Sequence, residues 1–269
     1  METFADRLQG LTALRGRLCV GIDPHAATLA SWGLADSAAG CERFARTLVA
    51  ALGEQVAVFK PQSAFFEAHG SAGVAVLGRV LVDIAAQGAL SILDVKRGDI
   101  GSTMQAYARA YLGAGELAAD AVTLSPYLGF AALNPALELA AQNGKGVFVL
   151  ARTSNPEGDA LQQARTAAGS SVAQSIVDAA TASNQQAGTP LVGLVVGATR
   201  ADLGVDLSRF DGWILAPGIG FQGGSVAGLQ TSFGTAYQRV LPSASREIAA
   251  AGDDVARLRS RASGLALYN

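Results

Sequence analysis

Cysteine, histidine and net charge are all scarce in this 269-residue sequence, and each scarcity removes a class of function. The two cysteines, Cys19 and Cys41, sit in unrelated contexts without metal-ligand spacing. They read as small buried thiols in a reducing compartment rather than as a disulfide. The two histidines, His25 and His69, have no carboxylate cluster at metal spacing beside them, so no metal site is expected. A formal charge of -2 and a pI near 5.7 leave no basic excess for a general nucleic-acid or membrane surface. Apolar runs are broken by charges before they could span a bilayer. The opening Met1-Glu2-Thr3-Phe4-Ala5-Asp6 carries charge and lacks the apolar core of a signal peptide, so a cytoplasmic protein is expected.

What is present is apolar. Half the residues are hydrophobic and 16% are charged, a composition that supplies a large core and argues against disorder. Short apolar runs alternate with longer amphipathic stretches, as in βα units around a parallel sheet. The pattern predicts eight strands, at Leu18–Ile22, Val56–Lys60, Leu90–Lys96, Ala121–Leu124, Gly146–Leu150, Leu191–Val196, Trp213–Leu215 and Arg239–Leu241. The clearest helices are predicted at Glu42–Leu52, Val74–Ala86, Met104–Leu112, Ala131–Gln142 and Val172–Thr181, with a closing helix at Arg246–Ser260. Gly88 and Gly144 fall where a helix ends and a strand begins. Thr153–Ser171 reads as an irregular insertion after strand five. We therefore expect residues 1–269 to form a single (β/α)8 TIM barrel domain. A doubly wound open sheet is the alternative, because periodicity cannot show closure.

In such a barrel the active site lies at the C-terminal ends of the strands. Asp23, Lys60, Asp94, Lys96, Thr153, Ser154 and the Pro217–Gly224 segment all fall there. Residues two apart on a strand point the same way, so Asp94 and Lys96 can share the barrel mouth, whereas Asp99 follows Gly98 and takes its direction from a loop. Alone, Asp94-x-Lys96 would pass for a structural ion pair. Lys60 ends another apolar run, so two lysines and two or three acids converge on one mouth. Carboxylates beside a lysine favour its ammonium form, which suits a proton donor and not an imine-forming nucleophile. The pattern points to protonation of a carbanion.

Asp94-Val95-Lys96-Arg97-Gly98-Asp99 resembles the Asp-x-Lys-x-x-Asp motif of the orotidine 5'-phosphate decarboxylase superfamily. Gly101-Ser102 stands where the commoner branch has Pro-Asn, so the chain looks like the longer bacterial branch, often called type 2. Further similarity runs through Gly21-Ile22-Asp23-Pro24-His25, Phe59-Lys60-Pro61-Gln62, Thr153-Ser154-Asn155-Pro156 and Ala216–Gly224. The resemblance implies cofactor-free decarboxylation of orotidine 5'-phosphate to UMP in a homodimer with shared sites. It makes Lys96 the proton donor to pyrimidine C6 and has Asp94 hold Lys96 while facing the substrate carboxylate. Asp99 and Thr103 would reach across from the partner subunit. Asp23 and Lys60 would serve the ribose hydroxyls and the charge network, and Ser154 the pyrimidine edge.

The phosphate end has a physical case of its own. Barrels often bind phosphate with the loops after strands seven and eight. Gly218, Gly220, Gly223 and Gly224 let backbone N–H groups approach an anion, and Gln222 adds a neutral donor. Ser243-Ala244-Ser245-Arg246 then opens the last helix, where a guanidinium and free N–H groups favour phosphate. His25 is expected to pack a loop, Trp32 and Trp213 to fill core or rim, and Arg97 to be either a surface charge or a dimer contact. Two other functions compete. Mg²⁺-dependent sugar-phosphate decarboxylases and aldolases of the superfamily share the motif but place an acidic metal ligand where this chain has Lys60. A non-catalytic nucleotide-binding barrel would have no need of intact Asp94, Lys96 and Asp99.

Overall fold

The computed structural model describes residues 2–200, 202–220, 223 and 226–268. Its strands are β1 (Cys19–Ile22), β2 (Val58–Pro61), β3 (Leu90–Arg97), β4 (Ala121–Leu124), β5 (Gly146–Arg152), β6 (Val192–Val196), β7 (Ile214–Pro217) and β8 (Val240–Ala244). Each pairs in parallel with the next, and β8 returns to β1 through Cys19↔Ser243 and Val20↔Ala244. That pairing makes the sheet a closed (β/α)8 barrel and excludes the open alternative. Arg17 staples the seam: its buried guanidinium donates to the carbonyls of Tyr237 and Val240 at 2.6 and 2.9 Å.

The strands are short apolar runs because both of their faces are buried. Val20, Phe59, Leu93, Val122, Val149 and Leu194 face the helices. Alternate residues face inward, and their chemistry changes with height. Low in the barrel lie Cys19, Val58, Leu90, Ile92, Ala121, Phe148, Trp213 and Leu241, a dry interior layer. One or two inward steps further along the strands come Lys60, Asp94, Thr123 and Ser243. The polar mouth thus rests on an apolar floor.

An N-terminal helix, Phe4–Arg15, closes the opposite end. Its Phe4 ring meets Phe148 edge-on at 6.0 Å, and Leu8 is fully buried in the same layer. Arg7 donates to Asp120 at 2.6 Å, and Asp120 also accepts from the Ser91 amide and hydroxyl. This helix was not among those predicted.

Most predicted elements occur with shifted ends. The helices run over Ala38–Leu52, Gly70–Ala86, Gly101–Leu112, Asn134–Gln142 and Val172–Ala187, and Gly88 and Gly144 adopt the left-handed conformation at φ 62° and 63°. Three expectations are corrected. The helix predicted at Arg246–Ser260 is two helices, Arg246–Ala249 and Val255–Leu265. Gly252 turns left-handed between them, and Asp254 caps the second by accepting from the Ala256 and Arg257 amides. Ser243 and Ala244 do not open a helix; they are the last residues of β8, paired to β1 and β7. The Thr153–Ser171 segment is not wholly irregular, since it contains a short helix at Asp159–Gln162 and a bridge between Arg165 and Ser171.

Candidate active site

A cavity of about 530 Å³ opens at the C-terminal ends of the strands. Its floor is a charge cluster. Lys60, from β2, donates to Asp94 Oδ2 at 2.9 Å, and Lys96 donates to Asp94 Oδ1 at 2.6 Å. Asp23, just past β1, stands 4.0 Å from the Lys60 ammonium. The two lysines differ in their access to water: the Lys60 side chain is 8% exposed and that of Lys96 is 46% exposed.

The electrostatics are mutual. Burial alone would raise the pKa of Asp94, but Lys60 and Lys96 hold the carboxyl well below the usual carboxylate range. Burial alone would deprotonate Lys60, but Asp94 and Asp23 hold its ammonium above the ordinary lysine range. Both groups are therefore charged at neutral pH. One layer below, burial pushes the Cys19 thiol up to about 12, against the opposing pull of Lys60 and a hydrogen bond with Ser243.

Asp94 and Lys96 meet by a route that strand alternation does not predict. Lys96 has φ 44°, the one left-handed non-glycine among the described residues, and the pairing of β3 with β4 shifts register between Leu93 and Arg97. Thr123, on β4, receives the Lys96 amide at 3.0 Å and donates to Asp94 Oδ1 at 2.8 Å. Gly98 follows the irregularity so closely against β4 that a Cβ there would fall 2.3 Å from the Ser125 carbonyl oxygen. Thr123 was missed as a site residue. It reads from sequence as one more β-branched strand residue, and only its inward register marks it.

Of the other expected residues, Ser154 and Arg246 line the cavity, on the segments after β5 and β8. Asp99 and Thr103 do not line the cavity of their own chain; the Asp99 carboxylate accepts from the Ile100 amide at 2.8 Å, and Thr103 is exposed on the following helix. Gly223 is exposed and lies outside the lining residues, while Gln222 and Gly224 fall outside the described residues. His25 lines the cavity with its ring 4.2 Å from that of Phe65. Arg97 is tied to Glu67 at 2.7 Å, so within the chain it locks the end of β3 to the helix after β2.

Two buried oxygens at the cavity, Asp23 Oδ1 and Ser245 Oγ, have no hydrogen-bond partner among the described residues. The segment carrying Ser154 is anchored by Asp159, which binds Arg152 and Arg200, each at 2.7 Å. No cluster of three or more His, Cys, Asp or Glu side chains placed to hold a metal occurs among the described residues. No helix among them is long and apolar enough to cross a membrane.

The arrangement combines a fixed carboxylate with two ammonium partners at the cavity floor, an apolar layer beneath it, and Arg246 among the lining residues. Comparison with known proteins gives this chemistry a context. The model of the orotidine 5'-phosphate decarboxylase / HUMPS family matches residues 16–260. The orotidine 5'-phosphate decarboxylase of Salinispora arenicola is 57% identical over 265 residues, covering 97% of this chain and 95% of its own. That of Streptomyces coelicolor is 50% identical over 270 residues, covering 99% and 97%. A crystal structure from Streptomyces avermitilis, described as a candidate orotidine 5'-phosphate decarboxylase, superposes with a TM-score of 0.95 at 52% identity, covering 99% of this chain and 94% of that one.

Proposed function

The chain belongs to the orotidine 5'-phosphate decarboxylase / HUMPS family, and from that premise we propose how its cavity carries out the family reaction. The protein is an enzyme that decarboxylates orotidine 5'-phosphate to UMP and CO₂, a step of pyrimidine biosynthesis. Gly101-Ser102 in the catalytic segment supports assignment to the longer bacterial, type 2 branch. Residues 1–269 act as one barrel domain, and the two free, buried thiols suit a cytoplasmic, reducing setting.

The observation that carries the mechanism is the difference between the two lysines around Asp94. Lys60 is walled in between Asp94 and Asp23 and serves as a fixed charge. Lys96 lies at the open side of the same carboxylate, with its ammonium free to turn toward a bound ring. As the C6–carboxylate bond breaks, its electron pair stays on C6 and CO₂ departs. Lys96 then delivers a proton to C6 and is reprotonated from water, to which its side chain is open. Unit charges ~4 Å apart at an effective dielectric of ~20 interact by ~4 kcal/mol, so a preplaced ammonium supplies a useful part of the barrier reduction without a cofactor. Asp94 aims Lys96 and faces the departing carboxylate.

Binding falls to the rim. Asp23 Oδ1 can accept from a ribose hydroxyl, and Ser154 sits where it can meet the pyrimidine edge. Arg246, Ser245 and the Gly218–Gly224 segment with Gln222 grip the phosphate, which aligns the ring over Lys96. Asp99 and Thr103 complete the site of a second subunit in a homodimer. The support is their position outside their own cavity, together with the 62% exposure of Ile100, the apolar residue next to Asp99 in the chain.

The test follows the loss of orotidine 5'-phosphate absorbance in metal-chelated buffer, with Lys96→Ala alongside. The wild type should turn over fully in EDTA and the variant should lose turnover while still binding UMP. Activity lost in EDTA and restored by Mg²⁺ would assign the chain to metal-dependent chemistry. Near-normal turnover by Lys96→Ala would remove Lys96 as proton donor.

A further inference from the structure

The backbone at Lys96 is held in a conformation that lysine rarely adopts, and one side chain accounts for it. With φ at 44°, Lys96 lies in the left-handed region that L residues with a Cβ avoid. An outlier of this kind persists only where its surroundings over-determine it. Here the Lys96 amide donates to Thr123 Oγ1 at 3.0 Å. The Thr123 hydroxyl is in contact with Asp94 Oδ1 at 2.8 Å, and the Lys96 ammonium reaches that same oxygen at 2.6 Å.

The proton positions in this ring follow from the groups themselves. A backbone N–H can only donate, so Thr123 Oγ1 must accept from it. An ionised carboxylate can only accept, so the hydroxyl proton must point to Asp94. Thr123 is 1% exposed, which leaves no room for solvent to take over either bond. One hydroxyl therefore connects the main chain of Lys96 to the carboxylate that orients its side chain. If the hydroxyl is lost, both ends of that loop loosen together.

We infer that Thr123 is a positioning residue for Lys96, setting the ammonium at the reacting carbon through the Lys96 backbone and Asp94. The inference rests on Lys96 being the proton donor. It separates Thr123 from the groups that grip substrate, because the hydroxyl spends its only proton on Asp94 and so has no donor left for the phosphate.

The experiment compares Thr123→Val, which keeps the shape, with Thr123→Ser, which keeps the hydroxyl, beside Lys96→Ala. Thr123→Val should lower kcat by about ten- to a hundredfold, the range for a lost hydrogen bond to a charged group. KM and UMP affinity should stay within about twofold, the pattern of a loss felt in the transition state. Thr123→Ser should recover kcat to within about threefold of wild type, since the bonding hydroxyl is restored. If Thr123→Val does not fold, the kcat ratio of Thr123→Ser to Thr123→Ala isolates the hydroxyl, and the same ten- to hundredfold ratio is expected. The inference is overturned if kcat is unchanged in the valine variant, if KM and UMP affinity weaken in step with it, or if serine fails to rescue. With Lys96→Ala inactive, those outcomes remove Thr123 alone; an active Lys96→Ala removes the proton-donor reading first.

Discussion

Lys60 Nζ lies 2.9 Å from Asp94 Oδ2, with both side chains almost wholly withdrawn from water. A buried pair of this kind loses more when one partner is removed than it gains by existing, because the survivor is left uncompensated. Among the described residues, the ionic partners of Asp94 are Lys60 and Lys96, and Lys60 has Asp23 at 4.0 Å as its second.

Asp94→Asn should therefore destabilise the protein by about 3–5 kcal/mol at neutral pH. The pH dependence has a definite sign. Asp94 is held below the usual carboxylate range, so its contribution is complete above the unfolded carboxylate pKa and is lost as pH falls through the folded value. Lys60 is held above the lysine range, so its contribution is complete below the unfolded lysine pKa and is lost only at strongly alkaline pH. The stability gap between wild type and Asp94→Asn, measured by urea unfolding, should be flat from about pH 5 to 9 and shrink below about pH 4. A gap that grows on acidification would reverse the assignment.

Arg246→Ala should weaken phosphate-bearing ligands by about 1.5–3 kcal/mol, ten- to a hundredfold in affinity. Binding of nucleosides that lack the phosphate, orotidine and uridine alike, should hardly change. Calorimetric titration of UMP and uridine against both proteins makes the comparison, and equal weakening of both ligands would take Arg246 out of the phosphate grip.

Subunit mixing tests the shared site. Lys96→Ala and Asp99→Ala, each inactive alone, are unfolded together and refolded. A mixed dimer has one site lacking both groups and one with both intact, so with random pairing roughly a quarter of all sites should recover. Differently tagged subunits report whether mixed dimers form. If they form and stay inactive, Asp99 serves its own barrel.

Phe4→Ala addresses the closed end of the barrel. Removing a ring packed on Phe148 should cost about 3–5 kcal/mol. In a chain of this size that lowers Tm by roughly 10 °C. Below the transition kcat should hold, because the dry interior layer separates Phe4 from Asp94. A fall in kcat without a fall in Tm would mean that the end helix communicates with the mouth.

The strands could be read from sequence because both of their faces are buried. Runs such as Val56-Ala57-Val58-Phe59 and Gly146-Val147-Phe148-Val149 have no polar alternative, and a charge ending such a run marks the mouth, as Lys60 and Asp94 do. Ring closure is a long-range pairing of Cys19 with Ser243, and nothing local encodes it. The Phe4–Arg15 helix did carry a local signal, the reciprocal cap of Thr3 and Asp6, but its apolar residues are thinly spaced. Strand alternation placed Lys96 beside Asp94 correctly while missing the left-handed turn that puts it there. Thr123 stayed invisible, because a hydroxyl inside Ala-Val-Thr-Leu looks like any strand residue until the register is known. Asp99 and Thr103 lie outside the cavity of their own chain, so its geometry gives them no role there, and only the family resemblance singled them out.

Cys19 lies beneath the charged floor and Cys41 under the helical layer, both fully buried, with burial pushing their thiols up to about 12 and about 11. Thiolate is the reactive form, so neither sulfur can be alkylated while the fold stays shut. The rate of Cys19 labelling thus becomes a clock for breathing of the β1–β8 seam, running independently of turnover. A ligand that slows the clock does so by holding the barrel closed, and the slowing measures how tightly occupancy of the mouth is transmitted to its base.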